Sequence, residues 1–153
     1  MIDIVKLHPG HIKPLRSFFN AIDNPDYIRY FSPHPFNEEN SVRVCSHAGQ
    51  DLYYAVLLDG EKIIGYGMLR GWDEGYDIPA IGLCILEEYQ NIGLGALLLL
   101  FLETLARARN CLKVMLKVNK DNEKARKLYE TRGYIFKDHD EEFLIGYKDL
   151  TRI

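Results

Sequence analysis

The sequence predicts a mixed α/β domain, and three observations carry that prediction. Apolar runs rich in β-branched and aromatic residues alternate with segments whose apolar positions recur at helical spacing. Asp59-Gly60, set between two such runs, is a strong hairpin signal. Two later strands are each reached through a helix-length segment, so parallel pairing is available only across those crossovers. The chain has 153 residues, 47% of them hydrophobic, enough for a full core in one domain spanning 1–153. No repeat, low-complexity tract or linker divides it.

Taken in order, Ile2, Ile4 and Leu7 suggest a first strand ending at Pro9-Gly10. Ile12, Leu15, Phe18 and Phe19 give a short amphipathic helix. The segment NPDYIRYFSPHPFNEEN follows, and its three prolines and two asparagine-led turns argue against regular structure. A second helix is expected over about 38–48, then strands at 52–58 and 62–69 around the hairpin turn. RGWDEGYDIP reads as a polar loop before an apolar strand at 80–86. A leucine-rich helix should run over 93–109, with Glu103 and Arg107 as an i,i+4 pair on its wet side. CLKVMLKV is a buried strand, and 122–132 a helix stopped by Gly133. Strands at 134–137 and 142–147 complete the order β-α-α-β-β-β-α-β-α-β-β.

Net charge is −3, so a broad nucleic-acid footprint is not expected and any anionic ligand must be held locally. Cys45, Cys84 and Cys111 are odd in number and lack metal-ligand spacing; they read as buried thiols in a reducing compartment, and no metal is expected. No apolar stretch has the length to span a membrane, and the N-terminus has no signal-peptide core. The expectation is a cytoplasmic protein with no nucleic-acid or membrane partner. A homodimer through final-strand exchange or edge pairing is compatible with the sequence, which compels neither.

The question the sequence poses most sharply is why Gly93 and Gly95 stand at the mouth of an apolar helix. A helix start leaves about four backbone N–H groups unpaired and carries roughly half a positive charge. Glycines there would remove two Cβ atoms and let successive N–H groups face one anion, a phosphate cradle that needs no lysine. The alternative is a turn whose glycines serve tight packing. QNIGLGA, from Gln90 to Ala96, fits Gln/Arg-x-x-Gly-x-Gly/Ala. NEKARKLYETRGY, from Asn122 to Tyr134, fits Asn-x-x-Ala-x-x-Leu-Tyr-x-x-x-Gly-Phe except that Tyr134 replaces the final Phe. Both motifs, in this order with a helix and a strand between them, resemble the GNAT superfamily of acyl-coenzyme A-dependent N-acetyltransferases.

That resemblance implies a mostly antiparallel sheet whose fourth and fifth strands are parallel and splayed, with acetyl-CoA as co-substrate. It implies that the loop Gln90, Asn91, Ile92, Gly93, Leu94, Gly95 and Ala96 holds the pyrophosphate. The backbones of Leu83, Cys84 and Ile85 would pair with pantetheine and orient the thioester oxygen. Asn122 and Tyr129 lie two helical turns apart, about 10 Å, on one face. Asn122 serves as helix N-cap, ligand contact or both. Tyr129, read from its surroundings alone, is a core tyrosine; the resemblance makes it the general acid that protonates the departing thiolate, which a phenol with a pKa near 10 can do. Cys84 is not expected to be a nucleophile, because an apolar strand raises a thiol pKa.

The acceptor side is less defined. Relatives place a glutamate where this chain has Pro79 or Ala80. Glu74 is the expected base, with His34, Asp77 or a chain of waters as alternatives. Tyr30, Phe31, His34 and Trp72 are the expected acceptor-binding residues, since rigid aromatics around an imidazole suit a sugar ring or small polar amine. The segment YGMLRGWDEGYDIPAIG looks similar to GNAT members associated with bacterial surface-polysaccharide genes, a resemblance compatible with an amino sugar carried on a nucleotide as acceptor. The expected activity is acetyl transfer from acetyl-CoA to a primary amine of a small molecule by direct attack. A non-catalytic acyl-CoA-binding module and a protein N-terminal or lysine acetyltransferase are the alternatives.

Overall fold

A computed structural model describes residues 1–150; the last three residues of the predicted domain lie outside the described part. Seven strands form one sheet: β1 (Ile2–Lys6), β2 (Leu52–Leu58), β3 (Lys62–Arg70), β4 (Ala80–Ile85), β5 (Lys113–Asn119), β6 (Ile135–Asp138) and β7 (Phe143–Asp149). Their spatial order is β1-β2-β3-β4-β5-β7-β6, antiparallel throughout except for β4 with β5. The β2–β3 turn is the hairpin expected: Asp59 (φ 52°) and Gly60 (φ 74°) both take positive φ, and Glu61 N–H bonds the Leu58 carbonyl at 3.0 Å.

β3 is the middle of the core because both of its faces are covered. On one face, α1 (Ile12–Ile22) buries Leu15, Phe18, Phe19 and Ile22, and the rings of Phe18 and Phe19 meet Tyr66 of β3 edge-on. On the other, α4 (Leu94–Ala108) buries Leu94, Leu98, Leu99, Leu102 and Ala106. Each fully buried leucine contributes roughly 1.5–3 kcal/mol. α4 comes so close that a Cβ on Gly67 of β3 would stand 3.1 Å from Leu98. Next to α1 lies α3 (Glu38–Cys45), with Val44 and Cys45 inward; α5 (Glu123–Thr131) follows β5. No helix among the described residues is long and apolar enough to cross a membrane.

Two expectations are corrected here. The proline-rich segment contains a short helix, α2 (Pro25–Ile28), because Asn24 caps it by accepting from Asp26 N–H at 3.1 Å and Pro25 sits where a missing N–H costs nothing. Glu103 is not on a wet face: only 2% of it is exposed. Its carboxylate accepts from the Tyr134 hydroxyl at 2.8 Å and pairs with Lys148 Nζ at 3.1 Å.

What positions the site is the unequal treatment of β4's two edges. Against β3 the ladder is complete, from Gly65↔Ile85 to Arg70↔Ala80. Against β5 only Ala80↔Met115 pairs, with Met115 N–H on the Pro79 carbonyl at 3.0 Å. Beyond that rung the two parallel strands splay.

Candidate active site

The splay opens a cleft of about 900 Å³. Leu86 N–H donates to the Ile64 carbonyl at 2.9 Å, so Cys84 with Tyr66 and Gly82 with Met68 are the hydrogen-bonded pairs of the antiparallel ladder. Leu83 and Ile85 therefore turn their N–H and C=O groups towards the open edge. Gln90 reaches back to donate to the Ile85 carbonyl at 2.9 Å. That brace leaves Leu83 N–H, Leu83 C=O and Ile85 N–H without a strand to pair with. Of the three predicted strand residues, Cys84 differs in that its peptide groups face β3, although the residue lines the cleft wall. Burial raises that thiol to about 12, so it stays protonated and is no nucleophile.

At the end of the open edge, Gly93 (φ 94°) caps α4 without any side-chain hydrogen bond. The first intrahelical bond runs from Leu97 N–H to the Gly93 carbonyl, which leaves the amides of Leu94, Gly95 and Ala96 aimed outward. The packing explanation for these glycines does not hold. A Cβ on Gly93 would meet nothing within 4 Å, and one on Gly95 only Leu128 at 3.9 Å. Gly93 is needed for its backbone conformation and Gly95 to leave space in the cleft. Asn91, also at positive φ (65°), is held by Lys124 Nζ on its Oδ1.

α5 forms the opposite wall. Asn122 Oδ1 accepts from Ala125 N–H at 3.3 Å, the N-cap role, while its amide nitrogen remains available on the cleft side. Tyr129, 8% exposed, lines the cleft, and its hydroxyl has no hydrogen-bond partner among the described residues. Burial, with Cys84 adding a little, raises this phenol to about 12. Such a group is a proton donor at any working pH.

The α2 segment closes one side by tying the two splayed strands together. The Tyr27 hydroxyl oxygen accepts from Glu87 N–H, just past β4, at 2.8 Å. At the end of β5, Asn119 Nδ2 donates to the Arg29 carbonyl at 3.2 Å, and just past it the Tyr30 hydroxyl donates to the Asp121 carbonyl at 3.4 Å. Tyr30 and Phe31 thus stand in the cleft wall together with Leu83, Ile85, Gln90, Asn91, Gly93, Gly95, Ala96, Asn122 and Tyr129.

Several expected residues are not brought there. Ile92 projects outward, 67% exposed, whereas Leu94 buries its side chain in the core and keeps only its amide at the mouth of the cleft. Trp72 lies under the Arg109 guanidinium, 4.4 Å from its ring centroid, and with Asp77 lines a separate depression at the far end of α4. Glu74 sits exposed in the same loop. The reason is direction: this loop enters β4, the cleft opens towards its exit, and six residues of strand separate them by about 20 Å. His34 is a structural histidine. Nδ1 donates to the Pro35 carbonyl and Nε2 accepts from the Tyr66 hydroxyl, both at 2.9 Å, and burial lowers its pKa. Its lone pair is therefore occupied. Sequence reasoning missed Tyr27, Lys124 and the carboxylates that do line the cleft, Asp26, Glu87, Asp121 and Glu123. Lys124 occupies a variable position inside the NEKARKLY motif, and only that placement could have flagged it. Among the described residues no cluster of three or more His, Cys, Asp or Glu could hold a metal.

The sequence profile of the Acetyltransferase (GNAT) family matches residues 16–134. The chain belongs to the GNAT acetyltransferase family. No curated protein sequence matches it. Among solved structures, GNAT enzymes share the fold at low identity. Spermidine N-acetyltransferase from Vibrio cholerae, in complex with CoA and spermine, is 20% identical with a TM-score of 0.79, covering 97% of this chain and 95% of that one. PaiA N-acetyltransferase from Thermoplasma acidophilum, in complex with coenzyme A, is 22% identical with a TM-score of 0.74, covering 98% and 99%. The ribosomal-protein-S5-alanine acetyltransferase from Vibrio fischeri is 16% identical with a TM-score of 0.76, covering 97% and 92%. The splayed strands, the glycine loop and the seven-stranded sheet are the GNAT arrangement.

Proposed function

We propose that this GNAT protein, as one domain, transfers the acetyl group of acetyl-CoA to a primary amine of a small molecule by direct attack in a ternary complex. The observation that carries the reading is the open edge of β4. Its unpaired peptide groups lead from a helix N-terminus with free amides to an unpartnered tyrosine hydroxyl. The amides of Leu94, Gly95 and Ala96 would take the pyrophosphate, with Lys124 and Asn91 at the rim. Leu83 and Ile85 would pair with the pantetheine amides as a missing strand would, and Asn122 would add a side-chain contact. Two of the solved relatives are described with coenzyme A bound, which supports the same thioester as co-substrate.

In the reaction, the neutral amine attacks the thioester carbonyl, the carbon–sulfur bond breaks, Tyr129 gives its proton to the departing sulfur, and the proton that the nitrogen sheds on becoming an amide returns through water to restore the phenol. The amine arrives protonated at neutral pH and must lose a proton first. Glu74 and His34 do not stand in the cleft, so that proton passes through water to a wall carboxylate, Asp26, Glu87, Asp121 or Glu123. Positioning the two reactants side by side supplies up to roughly 7–11 kcal/mol of the barrier. The α2 segment, tied to both strand ends, walls one side of the cleft, which we take as support for a small acceptor over a peptide. Tyr27, Tyr30 and Phe31 give it the aromatic walls that suit a ring-bearing amine such as an amino sugar.

The test is thiol release from acetyl-CoA across a panel of polyamines, amino sugars and amino-terminal peptides. Turnover of small amines with peptides inert is expected. Turnover confined to peptides would replace the acceptor class, and tight acetyl-CoA binding without turnover on any amine would replace the enzyme by a binding module.

A further inference from the structure

Glu103 is the charged residue that the leucine helix should not have. It is 2% exposed on the buried face of α4, and its carboxylate is saturated by the Tyr134 hydroxyl at 2.8 Å and by Lys148 Nζ at 3.1 Å to each oxygen. A buried ion pair of this kind is seldom the most stabilising solution, since apolar side chains of equal volume do as well or better. What it adds is direction, and the direction leads to the cleft. With its hydroxyl fixed on Glu103, the Tyr134 ring meets the Tyr129 ring edge-on, centroids 5.7 Å apart at 63°. Tyr134 N–H also donates to the Tyr129 carbonyl at 3.1 Å, and Phe136 backs the same ring at 6.5 Å. The Tyr129 hydroxyl itself has no hydrogen-bond partner among the described residues to orient it. Its position is set entirely from behind.

We propose that Tyr134, Glu103 and Lys148 are positioning residues for the transfer step, a buried relay that holds the Tyr129 ring so that its hydroxyl is aimed at the departing sulfur. The proposal rests on Tyr129 being the proton donor of the reaction proposed above. The relay links α4, whose first turn would hold the pyrophosphate, to α5, which carries the donor, and to β7. One buried carboxylate thereby keeps the two halves of the donor site in fixed register, and sub-ångström placement is what separates a productive proton donor from a nearby one.

Tyr134→Phe deletes one oxygen and keeps the ring. Its kcat for thiol release is expected to fall about tenfold while KM for acetyl-CoA stays within about twofold, the split of a group that serves the transition state. In a Tyr129→Phe background the same change should cost less than about twofold, because its effect runs through that hydroxyl. Equal losses in both backgrounds, or an unaltered kcat in the single variant, would overturn the relay. If instead Tyr129→Phe keeps the wild-type kcat, the proton-donor reading fails on its own account. Glu103→Gln combined with Lys148→Met keeps an acceptor for the Tyr134 hydroxyl without a buried charge, and should recover most of the kcat lost in Glu103→Leu; equal rates in the two would contradict the proposal. An acceptor-independent measurement is the flip rate of the Tyr129 ring by carbon-13 relaxation, which should rise in Tyr134→Phe and would count against the relay if unchanged.

Discussion

The two edges of β4 are built from the same six residues and behave oppositely. Facing β3, every rung is closed, and helix α4 presses onto the ladder at Gly67, where there is no room for a side chain. Facing β5, one rung holds and the rest of the edge is unpaired. Glycines mark both edges for different reasons. At Gly65 a Cβ would strike Ile85 Cδ1 at 2.7 Å and Val56 Cγ2 at 2.9 Å, whereas at Gly95 it would meet only Leu128 at 3.9 Å. One edge is closed by protein atoms, and the other borders the cleft.

The sharpest break in this contrast should come at the open edge. Tyr129→Phe is expected to lower kcat by about 100-fold or more, the usual scale for a lost general acid, with coenzyme A affinity by calorimetry little changed. Next in size, Gly95→Val should leave the melting temperature close to wild type but weaken coenzyme A binding about tenfold or more, at least ~1.4 kcal/mol. The mirror-image substitution at the closed edge, Gly65→Ala, should cost about 1–3 kcal/mol in denaturant unfolding through overpacking, with the coenzyme A affinity of the folded fraction retained. If the two glycine variants had interchangeable effects, the distinction between the edges would be wrong.

The smallest effect concerns pH. Burial lowers the His34 pKa below its ordinary 6.5, so the folded state prefers the neutral ring. Its contribution to stability is fully present above pH 6.5 and is lost as pH falls through the lowered folded value, because the unfolded chain then binds more protons. Thermal melts between pH 7 and 5 should therefore show destabilisation on the acid side, flattened in His34→Gln. Tyr129 works in the opposite sense: with a folded value of about 12, its contribution is present below pH 10 and fades above it, so no basic limb in kcat below pH 10 should come from this residue.

Much of this was legible from local signals. Period and punctuation identified every strand, and Asp59-Gly60, Asn122 and Gly133 did what turn and cap chemistry requires of them, with Gly133 at φ 96°. The glycine turn at the mouth of α4 was legible because helix-start chemistry needs no distant partner. Three things were not. Glu103 was assigned to solvent because a charge on an amphipathic helix normally faces water; its burial depends on Tyr134 and Lys148, 31 and 45 residues away. His34 looked functional among aromatics, but Tyr66, on another strand, takes its lone pair. Glu74 and Trp72 are near β4 in sequence but stand at its entrance, and which end of a strand opens is set by its pairing with β5.

Backbone hydrogen exchange read residue by residue, with and without saturating coenzyme A, tests the central claim most directly. The amides of Leu83, Ile85, Leu94, Gly95 and Ala96 should slow on binding, by about tenfold or more for the two strand amides, while Cys84 and Gly82, already paired to β3, should change little. Coenzyme A bound at full occupancy with the Leu83 and Ile85 amides exchanging as fast as before would contradict the assignment of β4's open edge as the binding strand.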